Sequence, residues 1–309
     1  MGTQGFSPRT RRDSHLIRFG ASSAAISLVG VRGAVPLEIE VAVRADRGKE
    51  ARVNGASLRA AEQLRRGTAT LVFTPDRLAV VKGGPAARRA YFDRALGRLA
   101  PSRAQLPADY AAALAQRSAA LRRVVAGVSS HQALEPWTAK VASVGGELVE
   151  ARCLVLALLR AGFSTRAEEL GLPGATLAYE GSAPTETELT DSLARDLGRG
   201  TTGAGPHVHD VRIAAGSRDL RSFGSQGEQR LAVLALLLAE ARLLAERTKT
   251  PPLLLLDDVL SELDEERRRV FAGQLSGVGQ AVITATSREA LPGEPSQVLR
   301  ISPGRAETV

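Results

Sequence analysis

Cysteine is almost missing: Cys153 stands alone in 309 residues, which excludes an internal disulfide and with it the disulfide-stapled secreted class. Its neighbours Leu154, Val155 and Leu156 form an apolar helical stretch, so it is expected as a core residue in a reducing compartment. Aromatic residues make up only 4% of the chain, too few for the stacking platforms that grip single-stranded nucleic acid. Long hydrophobic runs are also missing. The richest, Leu231 to Leu244, is interrupted by Glu240 and Arg242 and is too short to span a bilayer. The first twenty residues carry Arg9, Arg11, Arg12 and Arg18 without an apolar run, so no secretory signal is expected and a cytoplasmic location is. Finally, no GxxxxGK[ST] phosphate-binding loop occurs; the Gly48-Lys49 pair lacks both the upstream glycine and the following hydroxyl.

What is present is an ordinary globular composition, with 44% hydrophobic and 24% charged residues, long enough for about two structural units of ~150 residues each. The net charge is +8. Lysine contributes only Lys49, Lys82, Lys140 and Lys249, so arginine carries the excess. A planar, permanently charged guanidinium suits phosphate contact, and a polyanionic partner and a simple compositional bias toward arginine explain the charge equally well.

Along the chain, Leu37, Ile39, Val41 and Val43 alternate with Glu38, Glu40, Ala42 and Arg44, the period of a half-buried strand. Asn54-Gly55 supplies a type I′ turn, and Thr70-Leu71-Val72-Phe73 is expected to close this meander. After Pro75 and Gly83-Gly84-Pro85 the pattern becomes helical to about Gly162, with a break near Pro136-Trp137. A strand near Leu177–Tyr179 and a polar helix from Thr185 follow. From Val208 the order is strand, long helix from Gln226 to Arg247, strand Leu253 to Asp257, helix Glu265 to Leu275 and strand Ala281 to Thr284, the second half of an α/β sheet.

Two segments carry chemistry. Leu253-Leu254-Leu255-Leu256-Asp257-Asp258 reads as a strand buried on both faces whose C-terminal edge presents two carboxylates. Asp257 is expected to hold Mg²⁺, and Asp258 to orient or polarise an attacking water; an acid-rich helix start explains the pair equally well. Ser261-Glu262-Leu263-Asp264 follows, with Asp264 a good N-cap. The other segment is Phe223-Gly224-Ser225-Gln226-Gly227-Glu228-Gln229-Arg230, a glycine-containing turn feeding a helix. Free amides and a serine hydroxyl at a helix start suit a terminal phosphate; taken alone the turn is better explained as a helix N-cap, and its position ~25 residues before the acidic strand end favours the phosphate. His207 and His209 lie two apart, but a loop pair without nearby cysteine argues against a metal site.

These segments resemble the signature motif, Walker B and D-loop of the RecF family, relatives of SMC-type ATPases. Arg9-Thr10-Arg11-Arg12-Asp13 through Gly20, Thr74-Pro75-Asp76-Arg77-Leu78 through Arg89, and Thr201-Thr202-Gly203-Ala204-Gly205-Pro206-His207 are similar as well. The resemblance implies an α/β ABC-ATPase head, 1–84 with 200–309, and a helical second lobe, 85–199. It further implies ATP and Mg²⁺ as cofactors, catalytic roles for Asp257 and Asp258, and a trans-acting signature of Ser225, Gln226, Gly227 and Glu228. Ser261 and Asp264 would line the dimer seam as the D-loop. An ATP-dependent homodimer would close on duplex DNA beside single-strand gaps, working with RecR and RecO to load RecA in replication, recombination and the SOS response. On the helical arm Arg88, Arg89, Arg122 and Arg123 are expected to contact DNA, with Arg94, Arg98 and Arg117 as further candidates.

Two departures stand out. The family's phosphate-binding loop lies upstream of the segment matching Arg9-Thr10, so a truncated chain with little ATP binding of its own is expected; a scaffold that has lost nucleotide turnover is the alternative. Val208-His209-Asp210 stands where the family has an arginine and two acids. No long heptad repeat supports a coiled-coil SMC-type protein.

Overall fold

The structure is a computed structural model that describes all residues except 4, 8, 9, 11, 60–62, 65–68, 262, 277, 289 and 292. Arg9, Arg11 and Glu262, named above, therefore lie outside the described residues. Packing divides the chain into two compact units: Met1–Thr74 with Leu244–Ser261 and Ala272–Val309, and Pro75–Leu243 with Glu262–Phe271. Among the described residues no helix is long and apolar enough to cross a membrane.

In the first unit β1 (Ser23–Arg32), β2 (Val35–Arg44), β3 (Gly48–Val53) and β4 (Ala56–Ser57) form an antiparallel sheet in chain order. The alternation in β2 decides its faces: Ile39, Val41 and Val43 are buried while Glu38 and Glu40 are exposed. Ile39 and Val41 pack with Ala51 and Leu64 as a small core. Asn54 and Gly55 both take positive φ, 48° and 78°, as a type I′ turn requires. The Asn54 side chain then locks the turn, accepting from the Glu38 N–H at 2.7 Å and donating to the Pro36 carbonyl at 3.2 Å.

β5 (Thr70–Phe73) does not close this meander, contrary to expectation. It pairs in parallel with β9 (Leu253–Leu256), which pairs in parallel with β10 (Ala281–Ile283), giving the order β10-β9-β5. The reason is in its burial: Thr70, Leu71 and Phe73 are all buried, a run without alternation that suits a covered parallel sheet better than a meander with one wet face. A hairpin of β11 (Leu299–Ser302) and β12 (Arg305–Thr308) also belongs to this unit.

The second unit is built on helices. A short α1 (Ala79–Lys82) leads to α2 (Pro85–Leu99), with proline at its first position, then α3 (Leu106–Val125) and the long α4 (Glu135–Glu169). The expected break near Pro136-Trp137 is the interval between α3 and α4, and Pro136 stands in the first turn of α4, where proline's fixed φ and missing N–H are tolerated. A sheet of order β6-β7-β8 follows, from Ala175–Glu180, Asp210–Ala215 and Arg218–Asp219. Between its first two strands lie α5 (Glu186–Asp191), opened by a Thr185–Glu188 capping box, and α6 (Leu193–Arg199). α7 (Leu220–Phe223) precedes the long α8 (Gln226–Thr248), which packs so closely that a Cβ added at Gly162 of α4 would lie 3.4 Å from that of Ala239. Cys153 is exposed on α4 rather than in the core; the apolar run around it spans more than one helix face, and Ala151, Val155 and Leu156 take the buried side.

Arginine holds this unit together. Arg117 is fully buried, its guanidinium donating to Asp196 and Thr202 at 2.7 Å each, to Thr138 at 3.2 Å and to the Leu189 carbonyl at 3.1 Å. Phosphate contact, expected of Arg117 as a further candidate, is excluded by that burial. Arg117→Ala, which strands Asp196 as an uncompensated buried charge, is expected to lower unfolding free energy by about 3–5 kcal/mol. The paired Arg117→Met, Asp196→Leu variant should lose much less, as urea denaturation will show.

Candidate functional site

The strand end is organised by Thr284. β9 buries Leu254 and Leu256, whereas Leu253 and Leu255 are half-buried, so burial on both faces, as read from the four leucines, is only partial in this three-stranded sheet. Pairing continues one residue past the strand, since the Asp257 N–H donates to the Phe73 carbonyl at 2.9 Å and the Thr284 N–H to the Leu256 carbonyl at 2.9 Å. The Asp258 N–H reaches the Thr284 hydroxyl oxygen at 3.0 Å, and that hydroxyl lies 2.7 Å from Asp257 Oδ1. An N–H can only donate, so the threonine oxygen accepts from Asp258 and its own proton goes to Asp257. One side chain thereby fixes both acids. Asp257 is exposed and keeps Oδ2 for a ligand; a carboxylate oxygen next to a hydroxyl is a donor set of the hard-cation type.

Asp258 sits at φ +51°, a left-handed conformation that aspartate tolerates better than most residues. It turns the chain off the strand axis, and the buried Val259 and Leu260 anchor the turn, while the Ser261 hydroxyl donates to the Asp258 carbonyl at 3.2 Å. Asp264 caps α9 (Glu265–Leu275), its carboxylate accepting from the Arg267 N–H at 2.8 Å and its carbonyl from the Arg268 N–H at 2.9 Å. Ser261 and Asp264 are both exposed.

The signature turn is a second, self-contained device. α7 ends at Gly224, where a Cβ would fall 2.6 Å from the Leu220 carbonyl oxygen, so only glycine lets the chain turn so tightly. Ser225 and Glu228 then form a capping box at the start of α8: the Ser225 N–H donates to Glu228 Oε2 at 2.8 Å and the Glu228 N–H to Ser225 Oγ at 3.2 Å. Arg218 steadies it from the start of β8, donating to Glu228 Oε1 at 2.8 Å and to the Phe223 carbonyl at 3.4 Å. These contacts, the Arg218 hydrogen bond first and the Ser225 N–H next, hold the Glu228 carboxyl below its ordinary range. Gln229 ties the turn from beneath, donating to the Leu220 carbonyl at 2.8 Å.

Because Ser225 Oγ accepts within the cap, its own proton remains to be donated outward. Ser225, Gln226 and Gly227 are exposed, and the first N–H groups of a helix have no acceptor within it. A Cβ at Gly227 would lie 3.9 Å from Ser225 Oγ, beside the face an incoming anion would use. The local structure thus presents a hydroxyl donor, free amides and a positive helix end to one point in solvent.

The arginines expected on DNA separate into two groups. Arg88 is buried and turned inward, bidentate to Asp210 at 2.7 and 2.6 Å and bonded to the carbonyls of Val81 and Gly83; a guanidinium so enclosed reaches no polymer backbone, and the expectation for it is corrected. Arg89 is half-buried and donates to the His209 carbonyl at 2.7 Å. Arg122 and Arg123 are exposed in the last turn of α3. His207 and His209 each meet a tyrosine, Tyr110 at 2.8 Å and Tyr179 at 3.0 Å. His207 Nε2 lies 2.9 Å from the Thr202 carbonyl, which only accepts, so Nε2 carries a proton.

A parallel sheet with acids at its C-terminal edge and a serine-capped helix start defines the chain as an α/β ABC-type ATPase head. It belongs to the RecF family. It is 33% identical over 309 residues to the DNA replication and repair protein RecF of Heliobacterium modesticaldum, covering 94% of this chain and 82% of that protein. To RecF of Anaeromyxobacter dehalogenans strain 2CP-C it is 37% identical over 302 residues, covering 91% and 79%. The solved structure of the recombination mediator protein RecF-ATP in the RecFOR pathway superposes with a TM-score of 0.86 at 26% identity, covering 100% of this chain and 86% of that one. The Smc head domain of Pyrococcus yayanosii shares the fold, with a TM-score of 0.56 at 12% identity over 97% and 86% of the two chains. No family model matches the chain.

The glycine and the serine of the signature turn should respond oppositely to alanine. Gly227→Ala should keep or slightly raise thermal stability, since alanine exceeds glycine in a helix by ~0.5–1 kcal/mol, whereas Ser225→Ala should lower it by about 1 kcal/mol through loss of the cap; calorimetric melting separates the two. Burial holds His207 and His209 below their ordinary pKa, so their neutral forms are favoured by folding. The stability they confer is complete above the ordinary histidine value near ~6.5 and is lost as pH falls through the depressed folded values. Melting temperature should therefore drop between neutral and mildly acid pH, and His207→Gln should flatten that profile.

Proposed function

We propose that this chain acts in DNA replication and recombinational repair as a cytoplasmic, DNA-binding clamp, with Ser225 engaging the terminal phosphate of ATP held by a second subunit. The observation that carries the reading is the Ser225–Glu228 capping box on an exposed helix start, which fixes the hydroxyl while leaving its proton free. RecF relatives are named for DNA replication and repair, and solved RecF structures for ATP and the RecFOR pathway. In this reading 1–84 with 200–309 is the head lobe and 85–199 the helical lobe. Asp257 holds Mg²⁺, which supplies charge neutralisation at phosphate oxygens; Asp258 orients water, and Ser261 and Asp264 line the seam of an ATP-dependent homodimer. Arg122 and Arg123 meet duplex DNA at single-strand gaps, with RecR, RecO and RecA as partners.

One observation favours a narrower role for this polypeptide by itself. No GxxxxGK[ST] occurs in its sequence, and without such a loop ATP lacks the backbone amides and lysine that cradle its β- and γ-phosphates. The residues present fit Mg²⁺ and the far side of a γ-phosphate; they do not supply that cradle.

The test is a pair of titrations on the full chain. A gapped fluorescent duplex should bind with an affinity that falls steeply with salt, as phosphate contacts dictate, while calorimetry with Mg·ATP should detect no micromolar binding. Failure to bind DNA even at low salt would end the clamp reading. Micromolar ATP affinity would overturn the trans-only assignment.

A further inference from the structure

Buried charge in the helical unit is matched pair by pair at Arg88–Asp210, Arg117–Asp196 and Arg152–Asp93. Around Glu240 the pattern breaks. Arg77, in the turn Pro75–Leu78, and Arg94 and Arg98 of α2 converge on a single acid, Glu240 of α8, which is 1% exposed. Glu240 is already engaged: Oε1 accepts from Arg98 Nε and Oε2 from the Tyr91 hydroxyl at 2.8 Å. Tyr91 adds no compensating charge, because burial, and then the charge of Glu240, raise its pKa well above the ordinary value. Three guanidiniums thus share one carboxylate.

The surplus is directed outward. Tyr91, Arg94 and Arg98 fall three and four residues apart, on one face of α2. Arg94 is exposed and Arg77 half-buried, and neither makes a hydrogen bond or ion pair with any described residue. Arg98 Nη2 is buried with no acceptor. Partial desolvation first, and next the positive charges of Arg77 and Arg98, weaken the hold of Arg94 on its proton, with Glu240 opposing them only in part.

We propose that Arg77, Arg94 and Arg98 form a binding site for the phosphodiester backbone of duplex DNA. The ligand must be an anion, because what the cluster lacks is negative charge and acceptors, and planar guanidiniums match phosphate oxygens. It presents phosphate rather than a base: the aromatic ring here, Tyr91, is 3% exposed and lies under the Arg77 guanidinium at 5.8 Å from its centroid, leaving no open face for stacking. This site rests on the DNA-binding reading above and adds to it a contact surface separate from Arg122 and Arg123.

The full chain and its Arg77→Gln, Arg94→Gln double variant are titrated with a short fluorescent duplex across a salt series, with thermal melting run alongside. The double variant should melt like the wild type, bind roughly tenfold more weakly, and show a log K against log salt slope shallower by about 1.8, at ~0.9 for each phosphate no longer neutralised. Arg94→Lys should restore most of that slope. Unchanged affinity and slope in the double variant, with the wild type still binding DNA, would overturn the site alone. A wild type that binds no DNA would remove the clamp reading and this site together. Tripolyphosphate bound by the wild type and lost in the double variant, with DNA binding intact, would reassign the cluster to a free polyphosphate and refute the proposal.

Discussion

A guanidinium does not give up its proton inside a protein, so every arginine that folding takes out of water must meet an acceptor. In a chain whose cations are nearly all arginine, this constraint decides which acids and carbonyls the helices of the second unit must meet. Arg117, Arg152 and Arg88 each reach from a helix to the segment that runs from α6 through a loop to the start of β7, where Asp196, the Pro206 carbonyl and Asp210 receive them. Asp196 in turn accepts from the Gly203 N–H at 2.9 Å, and Thr202 accepts from Arg117. A loop with little regular structure of its own is therefore held by ion pairs at both ends. The effect carries forward, because Asp210 begins β7, β7 leads through its turn to Arg218, and Arg218 steadies the Glu228 that caps Ser225.

The strand end and the signature turn, each taken by itself, obey a common economy. In each, one hydroxyl serves structure with its oxygen and leaves a proton or a neighbour for chemistry. Thr284 accepts from the Asp258 amide and uses its proton to align Asp257; Ser225 accepts from the Glu228 amide and keeps its proton. Fixing these groups before any ligand arrives spares the ordering entropy that a flexible side chain would lose on binding. It also means that the bland explanation for Ser225, a helix cap, and the chemical one are the same geometry seen from two sides.

Much of this was legible in the sequence because it depends on local rules. The alternation in β2, the Asn54-Gly55 turn, the Asp264 cap and the helix start at Ser225 each follow from neighbours a few residues apart. What escaped depends on partners distant in the chain. The strand Thr70–Phe73 was visible, but periodicity does not say which sheet a strand joins, and its parallel partner lies far along the chain at Leu253–Leu256. Thr284 stood at a recognisable strand end, yet its bond to Asp257 spans 27 residues. Cys153 shows the converse error, an apolar neighbourhood in sequence that divides between two faces once it is wound into a helix.

The arginine excess is the clearest case of a signal that composition alone misreads. A net charge of +8 suits a polyanionic partner and suits compositional bias equally, and the structure shows why counting cannot choose. Arg88 and Arg117 looked like candidates for phosphate and are consumed in holding the fold, whereas Glu240, which merely interrupts an apolar helix in the sequence, turns out to be the single acid beneath three cations. A cation's availability is decided by the acids that fold against it. The informative quantity is therefore local imbalance, and in the helical unit that imbalance concentrates where Arg77, Arg94 and Arg98 outnumber Glu240.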